Sequence, residues 1–286
     1  MLKTLLKHEL RATAKTFMWL YIAFAAIAVV SAVIIPWSPF VSGSSSYYSS
    51  SAPEFAGTFP AAMQGLVFVL YVLAVIAIGV VTIVVIILRF YRNLLGDEGY
   101  LMMTLPVSRE EHILSKLLVA MIWSICSAII IFLSIVLFIA ASGVLGDVVE
   151  ALNEIVRSGA PLGRWITLSI LTMIVSTLSS ILILYASMAI GPNLIKNRVG
   201  GSILAFIMVA IASQVISTVI MFAWSMSMDS RNVYATSIMW GVSDGLSFAD
   251  NLFNATIGAS LLSCGIIAVA CWFLTQYMMK KKLNLA

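Results

Sequence analysis

The hydrophobic and polar positions alternate in long blocks instead of short periods. Six blocks contain no Asp, Glu, Lys or Arg, and each reaches about the 20 residues that a helix needs to cross a bilayer. They cover residues 17–36, 63–88, 117–145, 166–190, 202–224 and 255–278. None shows the ten-residue alternation of a barrel strand, and a helix pairs its own backbone groups in lipid. The sequence therefore predicts an all-α polytopic membrane protein with six transmembrane helices in a single domain, residues 1–286.

Composition and charge support this class and predict an orientation. The chain is 62% hydrophobic and only 10% charged, whereas soluble domains carry about a quarter charged residues. If the N-terminus is cytoplasmic, 13 of the 16 Lys and Arg residues lie in inner segments and three in outer ones. Positive charge favours the cytoplasmic side, so both termini are expected inside. The net charge of +4 then reflects topology, and we expect no nucleic-acid partner.

The first sixteen residues have two chemically different faces. Cations recur every fourth position, at Lys3, Lys7, Arg11 and Lys15. Leucines gather on another face, at Leu2, Leu5, Leu6 and Leu10. This pattern predicts an amphipathic helix, residues 1–16, that lies flat on the inner leaflet in contact with lipid before the chain turns into the first span. A positive anchor without a regular helix is the alternative.

The spans lack the groups that ion coupling and catalysis use. All 28 charged residues and both histidines fall outside the six blocks, and ion-driven carriers usually hold such groups at membrane depth. No span offers a nucleophile with a base, a carboxylate pair or an HExxH motif. We therefore expect no enzyme and no metal or cofactor bound by this chain.

Small polar residues do occur inside two spans. They follow one side of the fourth span, with one amide in the fifth: Ser169, Thr172, Ser176, Ser180 and Gln214. Residues of this kind let transmembrane helices approach closely and form hydrogen bonds between them. They predict helix packing or a subunit seam, and a translocation path is the alternative.

The inner segment at residues 96–111 carries the most informative local pattern. Gly96 ends the second span, Asp97 can cap a short helix with Glu98 in its first turn, and Pro106 stops that helix. Ser108 and Glu111 then stand at the spacing of a capping box. The short helix is apolar on nearly every side, at Tyr100, Leu101, Met102, Met103 and Leu105. Such a surface predicts docking on a partner protein, or packing against the inner leaflet.

The run NLLGDEGYLMMTLPVSREEHILSKLL, residues 93–118, resembles the signature of bacterial ABC transporter permeases of the ABC-2 family, especially Gram-positive members. The layout of the whole chain is similar too. The resemblance implies that residues 1–16 are the elbow helix. It also implies a coupling helix that docks on an ATPase, formed by Asp97, Glu98, Tyr100, Leu101, Met102, Met103 and Leu105.

The resemblance also implies partners. The chain has no GxxxxGK[ST] phosphate-binding run, and the 28 residues from Arg89 to Lys116 are too few for a nucleotide-binding domain. ATP and Mg would therefore bind two copies of a separate ABC ATPase. Two permease chains, identical or paralogous, would complete the transporter in the bacterial cytoplasmic membrane.

The implied function is the permease subunit of an ATP-driven exporter that works by alternating access. Its cargo would be an amphipathic or antimicrobial peptide or a hydrophobic toxic compound, with glycan or lipid export as a further option. Two other classes remain open. One is an ion-coupled carrier or channel that acts without an ATPase, and the other is a membrane sensor or assembly protein that transports nothing.

Three further segments lie outside the spans. Residues 146–165 predict a short surface helix, because apolar and charged positions separate onto two faces before Gly159 and Pro161. The aromatic-rich segment 225–254 predicts short helices over the outer mouth. The inner loop Gly191–Gly201 offers a second partner contact through Lys196 and Arg198, or a simple positive anchor.

Overall fold

A computed structural model describes residues 2–34, 61–91, 109–141, 145–191, 194, 198–227 and 242–282. These residues form seven α-helices and no strand. The helices are α1 (Leu2–Ile34), α2 (Ala61–Phe90), α3 (Arg109–Ala141), α4 (Leu145–Arg157), α5 (Leu162–Ile190), α6 (Arg198–Ser227) and α7 (Val242–Lys282).

Six of these helices are long and apolar enough to cross a membrane. The candidate spans are Leu6–Ile34, Gly65–Phe90, Ile113–Ala140, Leu162–Ile190, Gly200–Trp224 and Leu252–Met278. Most large apolar side chains in the middle of α2 and α6 are exposed in the single chain, as expected for surfaces that meet lipid or another membrane subunit. The prediction of an all-α polytopic membrane protein with six spans is confirmed. The prediction of a single domain stays a prediction.

Helix α1 differs from the sequence prediction in one respect. The amphipathic start is helical as predicted, but the expected turn near Phe17 is absent, because one helix of 33 residues runs from Leu2 to Ile34. The segment contains neither Gly nor Pro that would break it. The basic first turns and the first span therefore form one uninterrupted helix.

The described helices belong to two compact units, of which the first comprises Met1–Arg89 and Leu118–Asn153. Its core is a cluster of Phe24, Ala28 and Ile78, with Tyr21 and Tyr71 among the half-buried residues packed on it. Hydroxyl groups link its helices. The Tyr21 hydroxyl lies 2.9 Å from Ser127 Oγ, and Thr82 Oγ1 lies 3.1 Å from the same atom. Ser127 thus joins α1, α2 and α3.

We expect Ser127→Ala to lower the free energy of unfolding by about 1 kcal/mol, because interhelical hydrogen bonds in membranes contribute amounts of this size. Denaturation of the purified chain in mixed detergent micelles measures the change. Ser176→Ala is the matched control, since among the described residues the Ser176 hydroxyl donates only to the carbonyl oxygen of Met173 in its own helix. Equal losses in the two variants would contradict a linking role for Ser127.

The second unit comprises Phe90–Leu117 and Glu154–Ala286. Helices α5, α6 and α7 pack on one another in it. The C-terminal half of α5 supplies much of the core, including Leu182, Tyr185 and Ala186. Small residues are also buried on the other two helices, Ala205 on α6 and Ala259 on α7. Small side chains permit the close backbone approach on which helix packing in a membrane depends.

Two segments outside the spans are also defined. Helix α4 confirms the predicted surface helix, and the left-handed Gly159 (φ 81°) follows its end. Helix α7 begins at Val242. The last part of segment 225–254 is therefore continuous with the sixth span instead of forming separate short helices, and residues 228–241 lie outside the described residues.

Candidate functional site

The predicted coupling residues lie outside the described residues: Asp97, Glu98, Tyr100, Leu101, Met102, Met103 and Leu105. The structure describes the two helices that lead into and out of this inner segment. Helix α2 ends at Phe90, and α3 begins at Arg109, directly after Ser108 of the predicted capping box. The candidate site is therefore built from the contacts that hold these two helix ends.

An ion pair holds the end of α2 to the start of α1. Arg89 Nη1 donates to the Glu9 carboxylate and, at 3.1 Å, to the Glu9 backbone carbonyl oxygen. The two side chains are only 27% and 13% exposed, so this pair is less screened by water than a surface pair. Sequence reasoning missed this contact, although Glu9 is the single acidic residue in the basic start of α1.

A second contact holds α1 to α3. The indole N–H of Trp123 donates to Thr13 Oγ1 at 2.8 Å. The Trp123 ring also stacks on Phe17, with ring centroids 4.4 Å apart and planes inclined by 8°. The basic helix α1 is thus fastened to both helices that flank the inner segment.

An aromatic stack connects the end of α2 to α5 in the second unit. The rings of Phe90 and Tyr185 lie 4.1 Å apart, with planes inclined by 19°. Each residue is only 1% exposed. A packed aromatic pair adds about 0.5–1.5 kcal/mol to the free energy gained by burying its surface. Nothing in the sequence pairs these residues, because they are far apart along the chain.

Four residues shortly after the first turn of α3 are buried, and they belong to the same unit. Ile113, Ser115 and Leu117 are at most 5% exposed, and so is Lys116. Lys116 is one of the 13 cations that the predicted topology places in inner segments, and its burial was not predicted. Both described ends of the inner segment are therefore buried parts of the unit that contains α5, α6 and α7.

The polar residues of the fourth span bond mostly within their own helix. Thr172 donates to Leu168 O at 2.8 Å, and Ser180 donates to Ser176 O at 2.8 Å. Ser169 and Ser180 are exposed, whereas Thr172 and Ser176 are half-buried. The hydroxyl groups of Thr172, Ser176 and Ser180 all donate to carbonyl oxygens of their own helix. This side of α5 can therefore contact lipid or another helix without leaving those three donors unsatisfied.

Gln214 is different. It lies near the middle of the span Gly200–Trp224 and is exposed. Its amide makes no hydrogen bond in the part of the chain that the structure describes, and none joins it to the hydroxyl groups of α5. An amide without a partner is costly in hydrocarbon. Gln214 is therefore one polar position of the spans at which the described part of the single chain supplies no hydrogen-bonding partner.

Two glycines permit a close backbone contact where α5 ends and α6 begins. A Cβ atom on Gly201 would lie 2.1 Å from the Gly191 carbonyl oxygen, and one on Gly191 would lie 2.5 Å from the Ser202 backbone. The two backbones therefore touch where α5 ends and α6 begins. Lys196 lies outside the described residues, and Arg198 is the first residue of α6.

A polar cluster joins the N-terminal parts of α5 and α7. Asp250 accepts hydrogen bonds from the Arg164 guanidinium and, at 2.8 Å, from the Trp165 indole N–H. The Trp165 ring packs on Phe253 at 5.2 Å. The pKa of the Asp250 carboxyl is lowered below its ordinary value. The hydrogen bond from Arg164 is the largest cause, and the hydrogen bond from Trp165 is the next largest. Arg164 is one of the three cations that the predicted topology places in outer segments, and nothing in the sequence indicated this cluster.

No family model matches this chain, and neither a curated protein nor a solved structure is found to be similar to it. The function is therefore argued from the sequence and from the contacts above. Among the described residues, no group of three or more His, Cys, Asp or Glu side chains could hold a metal ion.

Proposed function

We propose that this chain is the permease subunit of an ATP-driven exporter of the ABC-2 type in a bacterial cytoplasmic membrane. A separate ABC ATPase binds and hydrolyses ATP with Mg. The run at residues 93–118, with its resemblance to ABC-2 permeases, supports this proposal first. The observation that carries it further is that Phe90, just before the run, and Ile113, Ser115 and Leu117, near its end, are buried. All four belong to the unit that contains α5, α6 and α7.

Burial at these two positions is what a force-transmitting element needs. Close-packed interiors transmit strain, whereas a mobile connection would absorb it. When two ATPase subunits close on ATP, each moves the inner segment docked on it. Movement of that segment then reaches α5 through the stack of Phe90 on Tyr185, and a cavity between two permease chains changes the side to which it opens.

The second permease chain, identical or paralogous, is part of the same proposal. Gln214 supports it, because an exposed amide near the bilayer centre gains a hydrogen-bonding partner when a second chain covers it. The hydroxyl face of α5, with Ser169, Thr172, Ser176 and Ser180, contributes to this seam or to the transport path.

The cargo in this proposal is an amphipathic or antimicrobial peptide or a hydrophobic toxic compound. A path lined by apolar side chains and a few hydroxyl groups suits such molecules. The candidate spans place no Asp or Glu in their central turns, so a cation would find little there to bind it.

Purification of the tagged chain from its native membrane tests the assignment. We expect an ATPase with a phosphate-binding Walker motif to co-purify, and we expect ATP-dependent export when the complex is reconstituted in vesicles. Flux through the chain alone would indicate a carrier or channel instead. A complex without any ATPase would indicate a sensor or assembly protein.

We expect Tyr185→Leu to reduce transport per ATP hydrolysed by up to about tenfold, the factor that corresponds to ~1.4 kcal/mol. The cause is the loss of the stack that joins α2 to α5, while the ATPase remains bound. Tyr185→Phe keeps the ring and serves as the matched control. Transport and ATP hydrolysis are measured on the same reconstituted complex, and normal coupling in Tyr185→Leu would refute this role of the stack.

A further inference from the structure

Helix α4 separates apolar and polar residues completely. At 3.6 residues per turn, one side collects the apolar residues Leu145, Val148, Val149, Leu152, Ile155 and Val156. The other side collects Asp147, Glu150, Asn153, Glu154 and Arg157. None of the thirteen residues of α4 is buried in the described chain, and the six apolar ones are 37–58% exposed.

Short connections keep this helix at the membrane surface. Three residues separate it from the end of α3, and four separate it from the start of α5. Both neighbours are candidate spans that end at Ala140 and begin at Leu162. At about 3.3–3.6 Å per residue, neither end of α4 can lie more than roughly 15–20 Å from a span.

Hydrogen bonds in the turn between α4 and α5 shorten the distance from α4 to the span of α5 further. Ser158 N–H donates to Glu154 O at 2.9 Å, and Leu162 N–H donates to Ala160 O at 2.8 Å, so the connection is folded instead of extended. Trp165 lies in the first turn of α5, and Trp is enriched where a span meets the headgroups. A helix about 10 Å across, tethered this closely, has to contact the headgroup layer.

We propose that α4 lies in the headgroup layer of the nearer leaflet, with its apolar face toward the acyl chains. The ligand of this surface is therefore the lipid bilayer itself. Its polar face carries three acidic residues and one Arg, unlike the basic helices that bind anionic headgroups. The contact depends on apolar area, so it does not require anionic lipid. In this position α4 anchors the connection between α3 and α5 at the membrane surface.

Spin labels on adjacent residues of the full chain test this inference. Cys126, Cys264 and Cys271 are first replaced by Ala, and Leu152→Cys and Asn153→Cys are then labelled in nanodiscs of phosphatidylethanolamine and phosphatidylglycerol. At position 152 we expect collisions with oxygen, which partitions into lipid, to exceed those with a water-soluble nickel chelate several-fold. At position 153 we expect the reverse. Val149→Cys and Glu150→Cys repeat the comparison if one label disturbs the fold.

The alternatives give different patterns. Easy access of the nickel chelate to both faces would place α4 in water and overturn the proposal. Low access of both reagents at positions 149 and 152 would mean that protein, such as a second copy of this chain, covers the apolar face, which also overturns it. Replacing the anionic lipid by phosphatidylcholine should leave the pattern unchanged, and its loss would contradict binding through apolar area.

Discussion

Replacing Leu101 and Met102 together by Asp is expected to abolish co-purification of the chain with the ATPase of the proposed function. In the proposed function these residues dock in a groove of the partner. Two carboxylates carried into an apolar contact without partners cost at least about 3 kcal/mol, which lowers affinity more than about a hundredfold. The measurement is the amount of ATPase retained by the tagged chain at equal expression.

Two controls make that result interpretable. The variant should elute from size-exclusion chromatography like the unaltered chain, since the six spans are untouched. Thr104→Asp places one carboxylate at a polar position of the same segment, and we expect it to retain most of the ATPase. Full binding and transport by the Leu101→Asp/Met102→Asp variant would refute the docking assignment.

Gly201→Ala is expected to destabilise the chain strongly. The added Cβ would lie 2.1 Å from the Gly191 carbonyl oxygen, a backbone atom that cannot rotate away, so α5 and α6 must separate at their connection. Overpacking of this kind costs about 3 kcal/mol. For a chain of this size, that corresponds to a fall in Tm of roughly 5–10 °C, measured on the purified chain in detergent.

Gly265→Ala is the matched control for this prediction. Gly265 lies in α7 of the same unit, and a Cβ there meets no atom within 4 Å. We expect its Tm to change little, because an added methyl group on an open helix face creates no overlap. Equal Tm values for Gly201→Ala and Gly265→Ala would show that the two backbones do not touch as described.

The six spans were predictable because length and hydrophobicity are local properties of the chain. The helix α1 shows where local reasoning fails. The spacing of Lys3, Lys7, Arg11 and Lys15 indicated a polar face, but a face does not determine whether the helix turns at its end. The absence of Gly and Pro up to Ile34 was the better indicator of one continuous helix.

The contacts around the inner segment could not be predicted in the same way. Inside a span nearly every position is apolar, whether it faces lipid or protein, so periodicity does not identify the neighbour. The Phe90–Tyr185 stack and the touching Gly191 and Gly201 join positions that only the folded chain brings together. The assignment of the residues from Asp97 to Leu105 as a docking site rests on composition, spacing and resemblance, and it remains a prediction.

Site-specific photo-crosslinking at Leu101 tests the central claim most directly. A benzophenone amino acid replaces Leu101 in the full chain, and the native membrane is irradiated before solubilisation. The account predicts one dominant protein adduct, with an ATPase that carries a Walker motif, and no such adduct from a benzophenone at Phe132, which is exposed within the span of α3. Adducts with lipid alone at Leu101 would contradict it.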